Sequence, residues 1–427
     1  MGAAAKLRKC GSSKNEDSVS PRYKWWLVAM LWWIAFFNYA DRQAVFSLFP
    51  LLGKELHLSQ TQRGLLGSSF AWTYGLCAPL AGWLVDRIRR KTAILGGLQA
   101  WSLICMATAL SRGFGWLVFF RAAEGLGETF YFPASVAMLS DYHGPRTRSR
   151  ALGIHQTSVY AGTIGGGACA ALIAEHYGWR STFVIFGALG MLLGLLLTRF
   201  IVEPARRAEE TAPKMPFADF IRILRHTPSA MLLMAAFVCA NFVAIVLLSW
   251  MPQFLFDKFH VDLAVAGLAA TIFVQLASMV GAPVGGWLAD AAHRRSPGGR
   301  MIIQAIGVFG GAPFVLLCGM TTSAVWLVIA LIAWGLFKGV YDANIFASIF
   351  DFIHPEARGT AAGFMNMVGW LGGGSAAVVV GWIADRSSLS LAISMTAAMY
   401  VLAGVLLVIG IMKFAAADAA KLKEATG

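Results

Sequence analysis

Between Phe114 and Ser140 the sequence stays apolar for the length of a membrane span, yet Arg121, Glu124 and Glu128 interrupt it. On a helix, offsets of three and seven residues hold these side chains within an arc of about 60°, so one face carries all three. A charge facing lipid costs at least about 2.5 kcal/mol; such a face must turn to a bundle interior or a wet cavity. An arginine there recognises an anion with its planar fork, and carboxylates there take up protons more readily than in water. The plainer alternative is a helix-packing ion pair between Arg121 and Glu124, which leaves Glu128 unused. A second charged pair, Asp41-Arg42, lies near the outer end of the first hydrophobic segment. Asp41 and Arg121 are at similar depth, so a cross-helix pair that forms and breaks as a gate is expected, with Arg42, about 100° further round its helix, facing a substrate. Later in the chain Lys338 and Asp342 are one turn apart, with Asn344 nearby. Lys338 either pairs with Asp342 or faces Glu128 across a central space.

These charges need apolar elements to hold them. Hydrophobic residues make up 58% of the chain and charged residues 13%, and the mean hydropathy is +0.64. That balance excludes an ordinary soluble domain. At about 20 residues per span, the sequence predicts an all-α membrane protein of twelve transmembrane helices. Its expected parts are an N-terminal tail (1–23), a six-helix bundle (24–202), a linker (203–228), a second six-helix bundle (229–413) and a C-terminal tail (414–427). The basic first tail, with Lys6, Arg8, Lys9 and Lys14, lacks the features of a cleaved signal, so the first helix is expected to stay as an anchor. Most Lys and Arg fall in loops on the side that carries both tails, which predicts cytoplasmic termini in a plasma or inner membrane.

The net charge of +13 is spread over short loops beside the bilayer, so lipid and not nucleic acid is the expected neighbour. The six cysteines show neither a disulfide framework nor metal spacing. Paired-histidine, serine-elbow and phosphate-loop motifs are absent, and Gly125-Leu-Gly127 lies within a helix and not after a strand. Catalysis, a metal and a cofactor are therefore not expected. A proton gradient is the expected energy source, and the chain is expected to function as a monomer.

Ala78-Pro-Leu-Ala-Gly82-Trp83-Leu-Val-Asp86 recurs as Ala282-Pro-Val-Gly-Gly286-Trp287-Leu-Ala-Asp290, at an offset of 204 residues. The run Ile164 to Gly167 recurs at Leu371 to Gly374, offset 207, and Asp141-Tyr-His143 aligns with Asp351-Phe-Ile-His354, offset 210. Parallel repeats of this kind build transporter halves related by an axis along the membrane normal. The register makes Lys338 the counterpart of Glu128. Between the halves, Phe217–Leu224 reads as a short amphipathic helix on the membrane surface.

Gly82-Trp-Leu-Val-Asp86-Arg87-Ile-Arg89-Arg90-Lys91 resembles the loop typical of the major facilitator superfamily, although Arg89 stands where that family usually has glycine. Gly82 is expected to admit a neighbouring helix, and Gly82, Asp86, Arg87, Arg90 and Asp290 to form the conformational-switch loop. Asn38-Tyr39-Ala-Asp41-Arg42, Arg121-x-x-x-Gly125-x-Gly127-Glu128, Phe132-Pro133 and Arg146-x-Arg148-x-Arg150-Ala-Leu-Gly153 resemble the anion:cation symporter family within it. The first-helix and fourth-helix motifs are also similar to the Spinster family of lipid and lysolipid carriers. Gly363-Phe364-Met365-Asn366, Gly369 and Leu371-Gly372-Gly373 favour the symporters. The resemblance implies anion binding by Arg42 and Arg121 and proton coupling by Asp41 and Glu128; Glu124 matches no position in the motif and joins them as a third proton-coupling candidate, its role left open. Tyr39 and Tyr74 offer hydroxyls from within apolar spans. Asn38, Lys338, Asn344 and Asn366 complete the expected substrate-binding set; His155 and Gln156 at the start of the fifth span are further ligand candidates, although a lone histidine near a span end more often serves packing or the interface.

The expectation is a carrier that rocks two halves about a central site, taking up a small organic anion such as a sugar acid together with protons. A Spinster-like amphiphile carrier is the nearest rival, and a non-transporting sensor on the same fold is the rival of another class. Counting Arg42, Arg121 and Lys338 against Asp41, Glu124, Glu128 and Asp342 leaves one excess negative charge, so a monovalent anion needs two protons for neutrality. Glu128 and then Asp41 are the expected carriers of those protons.

Overall fold

The computed structural model describes residues 22–85, 87–203 and 217–426. Asp86, most of the first tail and the linker residues 204–216 lie outside the described residues. In a bilayer each backbone N–H and C=O must be paired within its own segment, and the described chain accordingly contains helices and connections only. The first half comprises α1 (Tyr23–Ser47), α2 (Phe49–Glu55), α3 (Gln60–Val85), α4 (Arg90–Thr108), α5 (Phe114–Glu128), α6 (Tyr131–Tyr142), α7 (Pro145–Tyr177) and α8 (Trp179–Leu197). After α9 (Phe217–Arg225) the second half comprises α10 (Pro228–Phe259), α11 (Leu263–His293), α12 (Gly299–Met320), α13 (Ala324–Asp342), α14 (Ile345–Phe350), α15 (Arg358–Gly374), α16 (Ala376–Arg386), α17 (Leu389–Met395), α18 (Ala397–Lys413) and α19 (Ala415–Thr426).

With α5–α6, α13–α14, α15–α16 and α17–α18 each taken as one interrupted span, the order reproduces twelve membrane passes. Among the described residues, eight stretches are long and apolar enough to cross a membrane on length and composition alone. The others, α1, α3, α4 and α5–α6, all belong to the first half, where Trp, Tyr, Gly, Ser and the buried charges dilute the apolar run. The repeat persists in three dimensions. Arg90 at the start of α4 pairs with Asp141 at the end of α6, and Arg300 in α12 pairs with Asp351 after α14, with both members displaced by 210 residues. The break in the interrupted span comes one turn later in the second copy, after Asp342 in place of Glu128. The amphipathic α9 buries Phe220 and packs Phe217 and Phe220 against Phe364 of α15. It is thus fastened to the second half.

The halves meet at the end of the bundle remote from the described termini. Gln43 donates to Leu248 O (2.9 Å), Arg63 to Gln253 Oε1 (2.7 Å), Ser68 to Gly374 O (2.6 Å) and Trp72 to Ser375 Oγ (3.0 Å). A Cβ on Gly64 would stand 2.2 Å from Ala377 O, and one on Gly267 2.5 Å from Gly167 O, so glycine is what lets these backbones cross. At the opposite end, a Cβ on Gly82, Gly153, Gly286 or Gly363 would meet nothing within 4 Å among the described residues. Gly82 was expected to admit a neighbouring helix; in this conformation no helix among the described residues sits against it. The buried apolar residues follow the same division: one cluster lies wholly in the terminal end of the first half, and another joins the remote end of that half to the second. The central space therefore opens toward the end that bears the termini.

Helix α3 shows how the remote end is fastened. Ser59 Oγ accepts from the Gln62 N–H while Gln62 Oε1 accepts from the Ser59 N–H, a reciprocal cap. The N–H groups of Gln60 and Thr61 remain as orphan donors. Asp385, at the end of α16 in the other half, takes both at 2.8 Å and accepts from Thr61 Oγ1 at 2.5 Å. Losing a cap of this kind costs about 1 kcal/mol, a factor of about five in a two-state equilibrium. Asp385→Ala is therefore expected to raise amide exchange across residues 57–64 about fivefold, and unchanged exchange there would refute a fastening role.

Candidate functional site

Gly125 sets the position of the charged helix. A Cβ there would lie 2.5 Å from Phe70 O, so α5 runs directly against α3 and brings Arg121 and Glu128 up to Phe70 and Tyr74. The Arg42 Nε donates to Glu128 Oε2 at 2.5 Å. Its guanidinium is ringed by Tyr74 (4.5 Å), Tyr39 (4.7 Å), Phe70 (5.1 Å) and Trp370 (5.5 Å). The Arg121 guanidinium lies 4.7 Å from the Phe70 ring and its Nη1 donates to Glu124 Oε2. Arg42, Arg121, Glu124, Glu128 and Asp41 are all buried.

This pairing corrects the sequence expectation. Asp41 does not pair with Arg121: Arg121 is held within its own helix by Glu124, the alternative that had left Glu128 over, and Glu128 is taken by Arg42. Asp41 instead accepts a long hydrogen bond from the Cys105 thiol (3.9 Å). Donor atoms of Asp41, Cys105 and Glu124 lie within 4.8 Å of one another. They are close enough to share a metal ion in principle, but the guanidinium on Glu124 already supplies a cation there.

Arg42 and Arg121 form one wall of a cavity of about 580 Å³ between the halves, a volume typical of small-molecule sites. Tyr39, Gln156 and Tyr160 extend this wall; Asn241, Gln275, Lys338, Asp342, Tyr341 and Tyr400 face it from the second half, with Phe237 and Trp370 as apolar lining. Arg42 Nη1 and Arg121 Nε are buried without a hydrogen-bond partner among the described residues. Lys338 follows the first of its two readings, bonding Asp342 one turn away, and it also lines the cavity. Glu128 does not face it; that carboxylate sits behind Arg42. Gly335 and Gly339, on either side of Lys338, pack tightly against α11 at Val274 and Ser278.

Other expected residues stand elsewhere. The wall described does not include Tyr74, Asn38, Asn344 or Asn366. Tyr74 stacks beneath Arg42. Asn344 is buried in the helix break and donates to Gly285 O (3.2 Å) and Val340 O (3.1 Å). His155 is buried and bonded to Tyr131, while its neighbour Gln156 reaches the cavity. In the switch loop, Arg87 stacks on Trp83, Arg90 is buried on Asp141, and Asp290 bonds Arg300 at 2.9 Å. Asn241 and Gln275 escaped the sequence reading, although each is a lone amide within a long apolar run and was detectable on that ground.

The sequence model of the Major Facilitator Superfamily matches residues 31–377 and 253–425. The chain belongs to that superfamily. A hexuronate transporter of Bacillus subtilis is 26% identical over 369 residues, covering 82% of this chain and 85% of the relative. The protein spinster of Drosophila melanogaster is 26% identical over 380 residues, covering 85% of this chain, which spans 62% of that relative. A solved bacterial homologue of the human lysosomal transporter Spinster, inward-facing and occupied, aligns with a TM-score of 0.81 at 19% identity, over 93% of this chain and 98% of that one. The last shows shared fold. With the family established, this superfamily member is a multi-pass membrane transporter and not an enzyme, and its fold is the expected pair of six-helix bundles.

Proposed function

We propose that the protein is a proton-coupled symporter of a small organic anion, of the sugar-acid class, working by alternating access. The observation that carries the reading is the wall formed by Arg42 and Arg121, two buried guanidiniums that each keep an unpaired N–H beside a cavity between rocking halves. Buried donors without partners cost about 1–3 kcal/mol each, and a carboxylate placed there satisfies them with charge-assisted bonds. Tyrosines, Asn241 and Gln275 opposite suit hydroxyl groups, and the hexuronate carrier among the relatives supports the substrate class. With the termini cytoplasmic, as the loop charges favour, the conformation opens inward, and the protein resides in a plasma or inner membrane as a monomer.

The apolar part of the lining, Phe46, Phe237, Ile245, Leu248 and Phe346, favours a second reading, an anionic amphiphile such as a lysolipid. Proteoliposomes under an inward proton gradient separate the two. Accumulation of labelled D-glucuronate that collapses with the gradient supports the first. Failure of that acid together with transfer of a lysophospholipid supports the second.

A further inference from the structure

We propose that Glu124 is a tethered stand-in for the substrate anion: it occupies Arg121 in the empty carrier, and it takes up a proton when substrate claims the guanidinium. The proposal rests on the anion-symport reading above and deepens it at a residue that the family motifs do not include. Four facts of position carry it. Arg121 lines the cavity and is bonded to Glu124 on its own helix. Glu124 is fully buried, and its second oxygen, Oε1, has no partner among the described residues. Asp41 and the Cys105 thiol lie within 4.8 Å of it. On the same α5 face Glu128 is already held by Arg42 from α1 at 2.5 Å, while α3 presents Phe70 and Tyr74 to the group and no carboxylate.

The charge balance of this pocket is then definite. Arg42 with Glu128 is neutral, as is Arg121 with Glu124, and Asp41 is the odd acid, bonded to the Cys105 thiol and to no arginine or lysine among the described residues. Lys338 and Asp342 balance each other across the cavity. A carboxylate arriving from solution adds one negative charge to a group shielded from water. It competes for the fork of Arg121 with a side chain that has little else to bond. As the guanidinium turns, Glu124 would become a bare carboxylate beside Asp41, and uncompensated buried charge neutralises itself by shifting its protonation equilibrium. A proton from the aqueous cavity adds to a Glu124 oxygen, giving a neutral carboxylic acid; on release of the substrate Arg121 returns and that proton leaves. Anion and proton then travel together because they exchange places on one arginine. The coupling proton is thereby moved from Glu128, the first choice from charge counting, to Glu124.

The first experiment needs no substrate. Arg121→Gln imitates the withdrawal of the guanidinium, and infrared spectra in nanodiscs at neutral pH should then show one more protonated carboxyl than wild type, in the carbonyl-stretching region. That band should vanish in the Arg121→Gln/Glu124→Gln double variant and persist in Arg121→Gln/Glu128→Gln; a band insensitive to Glu124→Gln overturns the proposal. The second experiment titrates D-glucuronate binding against pH. Relative to wild type, Glu124→Gln should bind more tightly and lose one decade of affinity change per pH unit, whereas Glu124→Asp should keep the slope. A Gln variant with the wild-type slope assigns Glu124 a structural role only. If wild type fails to bind D-glucuronate at any pH, the sugar-acid reading falls and the infrared comparison still decides the role of Glu124.

Discussion

Arg42→Ala is expected to abolish anion binding and to destabilise the carrier by about 3–5 kcal/mol, because it leaves Glu128 as a buried charge without its cation. The two losses separate in the double variant. Removing a whole buried pair is often close to neutral for stability, so Arg42→Ala/Glu128→Ala should recover most of the melting temperature while binding and uptake stay absent. Arg42→Lys isolates the geometry. It keeps the charge but gives up both the planar fork and the face that lies among Tyr39, Phe70, Tyr74 and Trp370. A hydrogen bond to a charged group contributes about 1.5–3 kcal/mol, so affinity should fall about 10- to 100-fold with stability only slightly changed. Calorimetric titration and thermal unfolding of the same purified samples check both halves of the statement, and a lysine variant with wild-type affinity would rule out a fork-specific role.

The second large effect concerns where bulk is added. Gly64 and Gly381 touch the opposing half, at Ala377 O and Gln60 O (2.2 and 2.3 Å from a built Cβ), whereas Gly166 touches Ala40 within its own half, with Cα 2.3 Å from a built Cβ. Gly166→Leu overpacks a rigid body and should cost about 1–3 kcal/mol or more of folding stability. The same cost at Gly64→Leu or Gly381→Leu falls on one conformation and not on the fold, since parting the halves relieves it. A bias of about 1–3 kcal/mol shifts the equilibrium roughly 5- to 150-fold. Spin labels at His57 and Ser388, in a background with the cysteines replaced, should report a longer distance in these variants with little change in melting. Gly363→Leu should leave the present conformation intact and penalise the one in which the bare helix faces close. Equal loss of melting temperature in all four variants would contradict the division into rigid halves.

The sequence made the twelve passes, the repeat and the identity of the buried charges legible, because each follows from local composition or from self-comparison. It did not make the pairing legible. Asp41 and Arg42 differ by one residue, about 100° on a helix, so a modest rotation of α1 decides which of them meets α5, and nothing local sets that rotation. In the structure Arg42 reaches Glu128, and Asp41 turns to Cys105. Asn344 was misjudged for a related reason: a polar side chain in an apolar span can serve a ligand or an exposed carbonyl, and the helix break supplied the carbonyl. The cross-half cap of Asp385 depends on two segments more than 300 residues apart. A hint existed in Gly381-Trp-Ile-Ala-Asp385-Arg386, which echoes Gly82 to Arg87 at the other end of the bundle.

The Arg90–Asp141 and Arg300–Asp351 pairs bear on how the chain is made. Each joins elements of a single half. The flanking caps do the same: Glu203 accepts from the N–H groups of Arg90 and Lys91 at 2.8 Å, and Asp418 from that of Ser229 at 2.9 Å. By the time the ribosome has released Glu203, the partners described for Arg90, Lys91 and Asp141 have all been synthesised, and none of these lies in the second half. Domains fold as units in the order they are synthesised, so the first bundle can mature while the second is still being threaded into the bilayer. The groups that do wait for the second half, among them the Gln60 and Thr61 N–H groups and the Gly64 and Gly167 crossings, belong to the contact that the proposed alternating access opens and closes.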